Sequence, residues 1–273
     1  MSQRTAIVTG ASSGIGRATA LELVAKGYTV FAAARRTEKI SEAQVVGIEP
    51  IFLDVTSQEA IDKAIDTVMD KTGRIDVLVN NAGYGLMGTI EEVTTQEAQD
   101  QFDVNVFGLM NLTKKVLPIM RHQRSGHIIN VSSVVGKFGM PTGGWYSASK
   151  HALEALSDAL RLEMKPFGIK VSIIEPGAIK TEFSEVALGK ADEGTRLETY
   201  KQLTAKYKEM AEENSKNAAD AYVVAKVIGD AIAAKNPKPR YVVPGQAKVL
   251  LATKGLLGDR LFDWFMMRQL GWR

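Results

Sequence analysis

The feature that most limits what this chain can fold into is an alternation of two periods over its first 180 residues. Short β-rich runs fall at 5–9, 29–34, 48–54, 75–80, 127–133 and 170–175, and most are continuously apolar. Such runs are expected of strands covered on both faces, as in a parallel sheet. The stretches between them are long enough for crossover helices and carry boundary signals. A helix over 14–26 stops before Gly27, which can supply a left-handed C-cap. Thr56 and Glu59 read as a capping box for the next helix, and Gly73 closes it. Thr94 and Glu97 repeat that signal before a long segment to Met120, and a helix over 146–165 runs into Pro166 and Gly168. Alternating βα units specify an α/β fold: a doubly wound parallel sheet of about seven strands, flanked by helices.

After Pro176 the texture changes. Residues 178–217 are polar, rich in Lys and Glu, and read as helical without a broad apolar face. Residues 218–235 form a better amphipathic helix, and 240–243 a last short strand. The tail, 246–273, sets Leu256, Leu257, Leu261, Phe262, Trp264, Phe265, Met266 and Met267 among Lys248, Lys254, Arg260, Arg268 and Arg273. The 273 residues fit one domain spanning 1–273. A net charge of +3, scattered along the chain, makes no nucleic-acid footprint. There are no cysteines and three histidines without ligand spacing, so neither disulfides nor a metal is expected. No signal-peptide pattern opens the chain, and no run approaches the roughly 20 apolar residues of a membrane span. The expected location is the cytoplasm.

The first strand runs straight into Thr9-Gly10-Ala11-Ser12-Ser13-Gly14-Ile15-Gly16 and then a helix. Glycines at this junction allow a tight turn and close approach of backbone to a pyrophosphate. The helix amino terminus behind them presents free N–H groups and the positive end of its dipole. The bland alternative is an ordinary glycine-rich turn. Tyr146 and Lys150 lie four apart and share one helix face. A phenol titrates near ~10, and a neighbouring ammonium is expected to lower that value toward the working range. Ser133 lies at the end of the fifth strand, where the carboxyl ends of an open sheet form a ligand crevice. Alternation points its neighbour Ser132 to the other side.

The glycine spacing, G-x-x-x-G-x-G, is not the usual dinucleotide fingerprint. Together with Asn80-Asn81-Ala82-Gly83, Ser133, Tyr146-x-x-x-Lys150 and Pro176-Gly177, it strongly resembles the short-chain dehydrogenase/reductase family, over about residues 5–182. The resemblance implies a single Rossmann-type domain that moves a hydride between a nicotinamide cofactor and a secondary alcohol or ketone. It makes Tyr146 the general acid/base and gives Lys150 a second task on the nicotinamide ribose. It assigns Ser133 to the substrate oxygen and Asn105 to a proton relay through water and Lys150; the alternative for Asn105 is a polar residue that kinks its helix. Gly10, Ser12, Ser13, Gly14, Ile15 and Gly16 would cradle the pyrophosphate, and Asn81, Ala82 and Gly83 would wall the adenosine side. Asp54, with Val55 beside it, matches an adenine-contacting position, unless Asp54 only opens a helix. Pro176 and Gly177 begin the segment cradling the carboxamide, with Ile179 and Thr181 in contact.

No carboxylate ends strand two; Arg35 and Arg36 stand there instead. An acid at that place binds ribose hydroxyls, whereas arginine accommodates a 2′-phosphate, so NADP(H) is expected over NAD(H). The alternative leaves both arginines solvated at a loop start, and Ser13 stands where some NADP enzymes of the family carry a basic residue. Tyr84, Leu86, Met87, Phe138, Met140, Trp145 and Phe183 are candidates for the wall of an apolar carbonyl or alcohol site, or for core. Segment 183–217 reads as a candidate substrate lid. The tail is expected to cover its own protein or a partner subunit, with a membrane surface as the lesser alternative. A homodimer or homotetramer is implied by resemblance alone. The competing functional class is a non-catalytic NADP(H) sensor, against which the retained tyrosine and lysine speak.

Overall fold

The computed structural model describes residues 3–42, 45–183 and 197–271. Seven strands form one parallel sheet: β1 (Arg4–Thr9), β2 (Tyr28–Ala34), β3 (Ile48–Phe52), β4 (Val77–Asn80), β5 (Gly126–Val131), β6 (Ile169–Pro176) and β9 (Arg240–Val243). Their order is β3-β2-β1-β4-β5-β6-β9, so the winding reverses between β1 and β4. Both faces are buried, as the apolar runs require. Ile7, Phe31, Ala33 and Ile128 point into one core with α3 (Gln58–Thr72), α5 (Leu109–Gln123) and the end of α6 (Gly144–Met164). Their neighbours Ala6, Val8, Val30, Ala32 and Ile129 point into the other, with α1 (Gly14–Ala25) and α8 (Ala221–Ala233). The doubly wound sheet follows from this two-sided apolarity.

Several boundaries moved. The helix opened by the Thr94–Glu97 capping box, α4 (Thr95–Phe102), does not run on as one α-helix. A π-helical turn, Asp103–Gly108, separates it from α5. Gly27 and Gly73 do adopt left-handed φ, of 81° and 65°. The expected capping box at Thr56 and Glu59 is corrected: Ser57 is the N-cap of α3, its hydroxyl accepting from Ala60 N–H at 3.2 Å. Thr56 instead gives its N–H and hydroxyl to Asp54, and Glu59 pairs with Lys63. An Asp two residues before a Thr competes for that hydroxyl, and the cap shifts by one residue.

Beyond Pro176 a two-stranded pair, β7 (Ile179–Lys180) with β8 (Ala219–Asp220), was not anticipated. Part of the polar stretch forms α7 (Lys201–Lys216), which buries Leu203, Thr204 and Tyr207; residues 184–196 of the candidate lid lie outside the described residues. The tail is α9 (Gly245–Leu270), broken at Gly258, where φ is 66° and ψ 176°. No helix among the described residues is long and apolar enough to cross a membrane. If Ser57 holds α3, Ser57→Ala lowers the unfolding free energy by about 1 kcal/mol in urea titration. Glu59→Ala should leave it nearly unchanged, and the reverse order would restore the capping box.

Candidate active site

At the end of β1 the backbone turns through Gly10, φ 66°, and Gly14, φ 52°. The helix packs so closely that a Cβ on Gly16 would meet the Gly10 carbonyl oxygen at 2.3 Å. Ser13, the N-cap of α1, makes no side-chain cap bond, so the first-turn N–H groups are left to an outside acceptor. The turn is braced from β4: Asn81 Nδ2 donates to the Thr9 carbonyl at 2.9 Å. The Thr9 hydroxyl accepts from the N–H groups of Asn81 and Ala82, each at 2.9 Å. Asn81 therefore acts on the loop itself, and Thr9 is a residue that sequence reasoning missed; its place between an apolar strand and a glycine was the available signal.

Arg35 and Arg36 emerge exposed at the end of β2. Glu182 approaches both Arg36 and Lys39 at 3.7 Å, so a cationic pair, one member of it overlooked, already draws an anion across the cleft. Burial alone would raise the Asp54 carboxyl, but the two bonds from Thr56 and the charge of Arg35 hold it below its ordinary value. The Val55 side chain belongs to the core, with its carbonyl against Gly108. Thr181 lies against Gly14, and Ile179 is buried nearby in the second core.

Tyr146 sits in the first turn of α6 and Lys150 one turn on, both buried. Lys150 Nζ donates to the Val131 carbonyl at 3.0 Å and lies 5.8 Å from the centre of the Tyr146 ring. Ser133, two residues past β5, accepts from Val135 N–H at 3.3 Å and donates to the Pro176 carbonyl at 3.4 Å. Asn105 lies fully buried in the π-helical turn; Nδ2 donates to the Tyr84 carbonyl at 3.0 Å and to the Ser149 hydroxyl at 3.1 Å, and Oδ1 accepts from Tyr84 N–H at 3.1 Å. Its side chain thus shapes the loop at Gly83, where a Cβ would meet Asn105 Oδ1 at 2.9 Å and Lys150 Nζ at 3.8 Å. The helix is also distorted at this residue, as the kinking alternative for Asn105 expects.

The expected direction of the Tyr146 shift is corrected. Burial pushes the phenol up to about 12, the Ser133 hydroxyl offsetting part of the rise and Tyr207 adding to it. Burial likewise brings Lys150 down to about 8, with the Glu154 carboxylate opposing. Taking either charged form out of water costs more than these neighbours return.

The model of the short chain dehydrogenase family matches residues 4–192. The chain belongs to this family. It is 36% identical to a 3-ketodihydrosphingosine reductase of Bacteroides thetaiotaomicron over 97% of both chains. It is also 36% identical to an NADPH-dependent 3-dehydrocapnine reductase of Ornithobacterium rhinotracheale, over 98% of this chain and 97% of that one. A solved short-chain dehydrogenase from Streptomyces avermitilis superposes with a TM-score of 0.82 at 36% identity, covering 99% of this chain and 98% of the other. The chain is accordingly an oxidoreductase fold that binds a nicotinamide dinucleotide and acts on a small molecule.

The short-chain dehydrogenase site is walled by apolar side chains, some from beyond the family match. Phe183 lies 5.6 Å from Tyr146, ring centre to ring centre. Met87, Phe138 and Met140 pack in one buried apolar cluster with Tyr146. Trp145 packs edge-on against Phe102 at 6.3 Å. Leu203, Tyr207 and Phe262 belong to the same cluster and were missed, since their polar or tail-like surroundings hid them.

Behind the site lies an ionic clasp that sequence reasoning also missed. Lys137 contacts Glu154 at 2.6 Å and Glu175 at 3.3 Å. Arg240 contacts Glu154 at 3.0 Å, Glu175 at 3.3 Å and Asp158 at 2.6 Å. Burial and the nearby Glu154 carboxylate raise Glu175 despite both cations. The clasp joins the segments that carry Ser133, Lys150 and Pro176. Arg240→Ala should cost on the order of 2 kcal/mol in denaturant unfolding, below the ~3–5 for a fully buried pair, because Lys137 remains and Arg240 is partly exposed. An unchanged midpoint would show that the clasp holds nothing.

Proposed function

We propose that this chain is an NADPH-dependent reductase of a ketone carried on a long-chain amphiphile. The observation that carries the reading is a buried phenol with an ammonium one helical turn away, a serine hydroxyl at the end of β5 acting on it, and apolar side chains around it. The cofactor fits the residues present. Gly16 leaves no room for a side chain between loop and helix, and the α1 N-terminus offers N–H groups to a pyrophosphate. Arg35, Arg36 and Lys39 supply cations for a 2′-phosphate, and the approach of Glu182 to two of them supports that use. When bound, the nicotinamide supplies the hydride to the carbonyl carbon.

The chain's own residues handle the oxygen. The Tyr146 hydroxyl gives its proton to the oxygen as that oxygen gains negative charge. Ser133 donates a hydrogen bond to the same atom. Lys150, as an ammonium, stabilises the tyrosinate left behind. A phenol pushed up to about 12 is fully protonated at neutral pH, which is the form that reduction uses. Relatives named as a 3-ketodihydrosphingosine reductase and an NADPH-dependent 3-dehydrocapnine reductase, each matched over 97% of its length, support the substrate class.

NADPH oxidation with a long-chain 2-amino-3-oxo base should be fast relative to NADH, and Tyr146→Phe should lower kcat about 10²–10⁴-fold while NADPH still binds. Turnover retained by Tyr146→Phe, or a preference for NADH, would contradict the proposal. The pH profile makes a separate claim. Reductive kcat/KM should stay flat below about pH 8 and fall above it as Lys150 loses its proton, with Tyr146 still protonated. Lys150→Arg, which cannot lose its charge, should be slower but lack that limb. A limb that persists would assign it to another group.

A further inference from the structure

We propose that the outward face of α9 docks the protein on the surface of an anionic phospholipid bilayer. Past the break at Gly258, the helix splits by period. Phe262, Met266 and Leu270 recur at four-residue spacing on the inner face, where Phe262 and Leu270 are buried. Leu261, Trp264 and Arg268 recur on the opposite face with Arg260 beside them; Leu261 is 57% exposed and Trp264 61%. Leu256, at the break, is 87% exposed. Single exposed apolar residues are ordinary, but a leucine and a tryptophan on one helix face among arginines are an interfacial pattern.

Charge selects the occupant. Arg260 and Arg268 are the cations of the outward face; Asp259 and Asp263 are also exposed, on its flank, and Asp259 pairs with Lys254. The Arg268 guanidinium lies 5.5 Å from the Trp264 ring centre, so one side chain pairs an apolar body with a phosphate-seeking head beside it. A second copy meeting this face about a two-fold axis would bring its arginines together, with the flanking Asp263 and the Lys254-bound Asp259 as the nearby acids. Anionic headgroups offer the arginines a partner, and the interface suits tryptophan. The inner face meets the site: Phe262 packs edge-on against Phe138 at 5.3 Å, in the cluster that contains Tyr146. One helix diameter, about 10 Å, would then separate lipid from the apolar cluster around Tyr146. The inference goes beyond the reductase reading and stands without it.

The test is co-flotation of the full chain with vesicles of phosphatidylcholine alone and of phosphatidylcholine mixed with phosphatidylglycerol. The wild type is expected to float with the anionic mixture and weakly with phosphatidylcholine. Leu261→Ser with Trp264→Ser should weaken binding to both about tenfold or more, and Arg260→Gln with Arg268→Gln about tenfold on the anionic mixture alone. Both double variants should match the wild type in circular dichroism and in NADPH binding, which separates docking from folding. No flotation of the wild type, or flotation unchanged by both variants, overturns the proposal. A lower oligomeric state of the serine variant in size exclusion, without vesicle binding by the wild type, assigns the face to a second copy instead. Flotation without reduction of the long-chain ketone defeats only the functional reading above; reduction without flotation defeats only this one.

Discussion

The bond from Lys150 to the Val131 carbonyl, at the carboxyl end of β5, fixes where everything else in the site can be. It holds α6 against the sheet one turn past Tyr146. A second tie, Asn130 Nδ2 to the Ser157 hydroxyl at 2.8 Å, repeats the connection two turns further along. Asn130 in turn accepts from Asn80 at 2.9 Å, so a buried polar line runs from β4 through β5 to α6. Removing any member strands a buried partner, which makes such lines costly to break and specific in register. The same desolvation that makes this line rigid pushes Tyr146 and Lys150 toward their neutral forms.

The sheet was legible because its physics is local. Runs such as Ala6–Val8 and Ile128–Ile129 are apolar on both faces, and only a two-sided burial suits that pattern. The loop was legible because Gly10 and Gly14 need left-handed backbone that other residues rarely adopt. The Tyr146 and Lys150 pair was found through spacing. Its electrostatics were misjudged, because a pairwise charge argument omits the burial that only the folded chain reveals. The cap at Ser57 was missed for a smaller reason of the same kind: three polar neighbours competed, and geometry chose between them.

What the sequence hid lies mostly in contacts between distant segments. Lys137, Glu154, Glu175 and Arg240 stand apart along the chain in no recognisable pattern, yet they meet behind the site. Tyr207 sits in a helix that reads as polar, and its one buried stripe becomes visible only against Met87, whose sulfur accepts from the tyrosine hydroxyl at 3.5 Å. Phe262 was noted as part of an amphipathic tail without a known destination. The C-terminal third thus supplies part of the apolar cluster around Tyr146 and, from α9, an exposed face that carries Leu261 and Trp264.

The most direct measurement follows the hydrogen itself. A long-chain 3-oxo base is incubated with the protein and NADPH deuterated at the transferring position of the nicotinamide C4, and the product is read by mass spectrometry and NMR. The account predicts deuterium on the new carbinol carbon, with the hydroxyl proton drawn from solvent through Tyr146. A carbinol carbon without the label would contradict the central claim, as would recovery of unreduced ketone from a protein that binds both ligands.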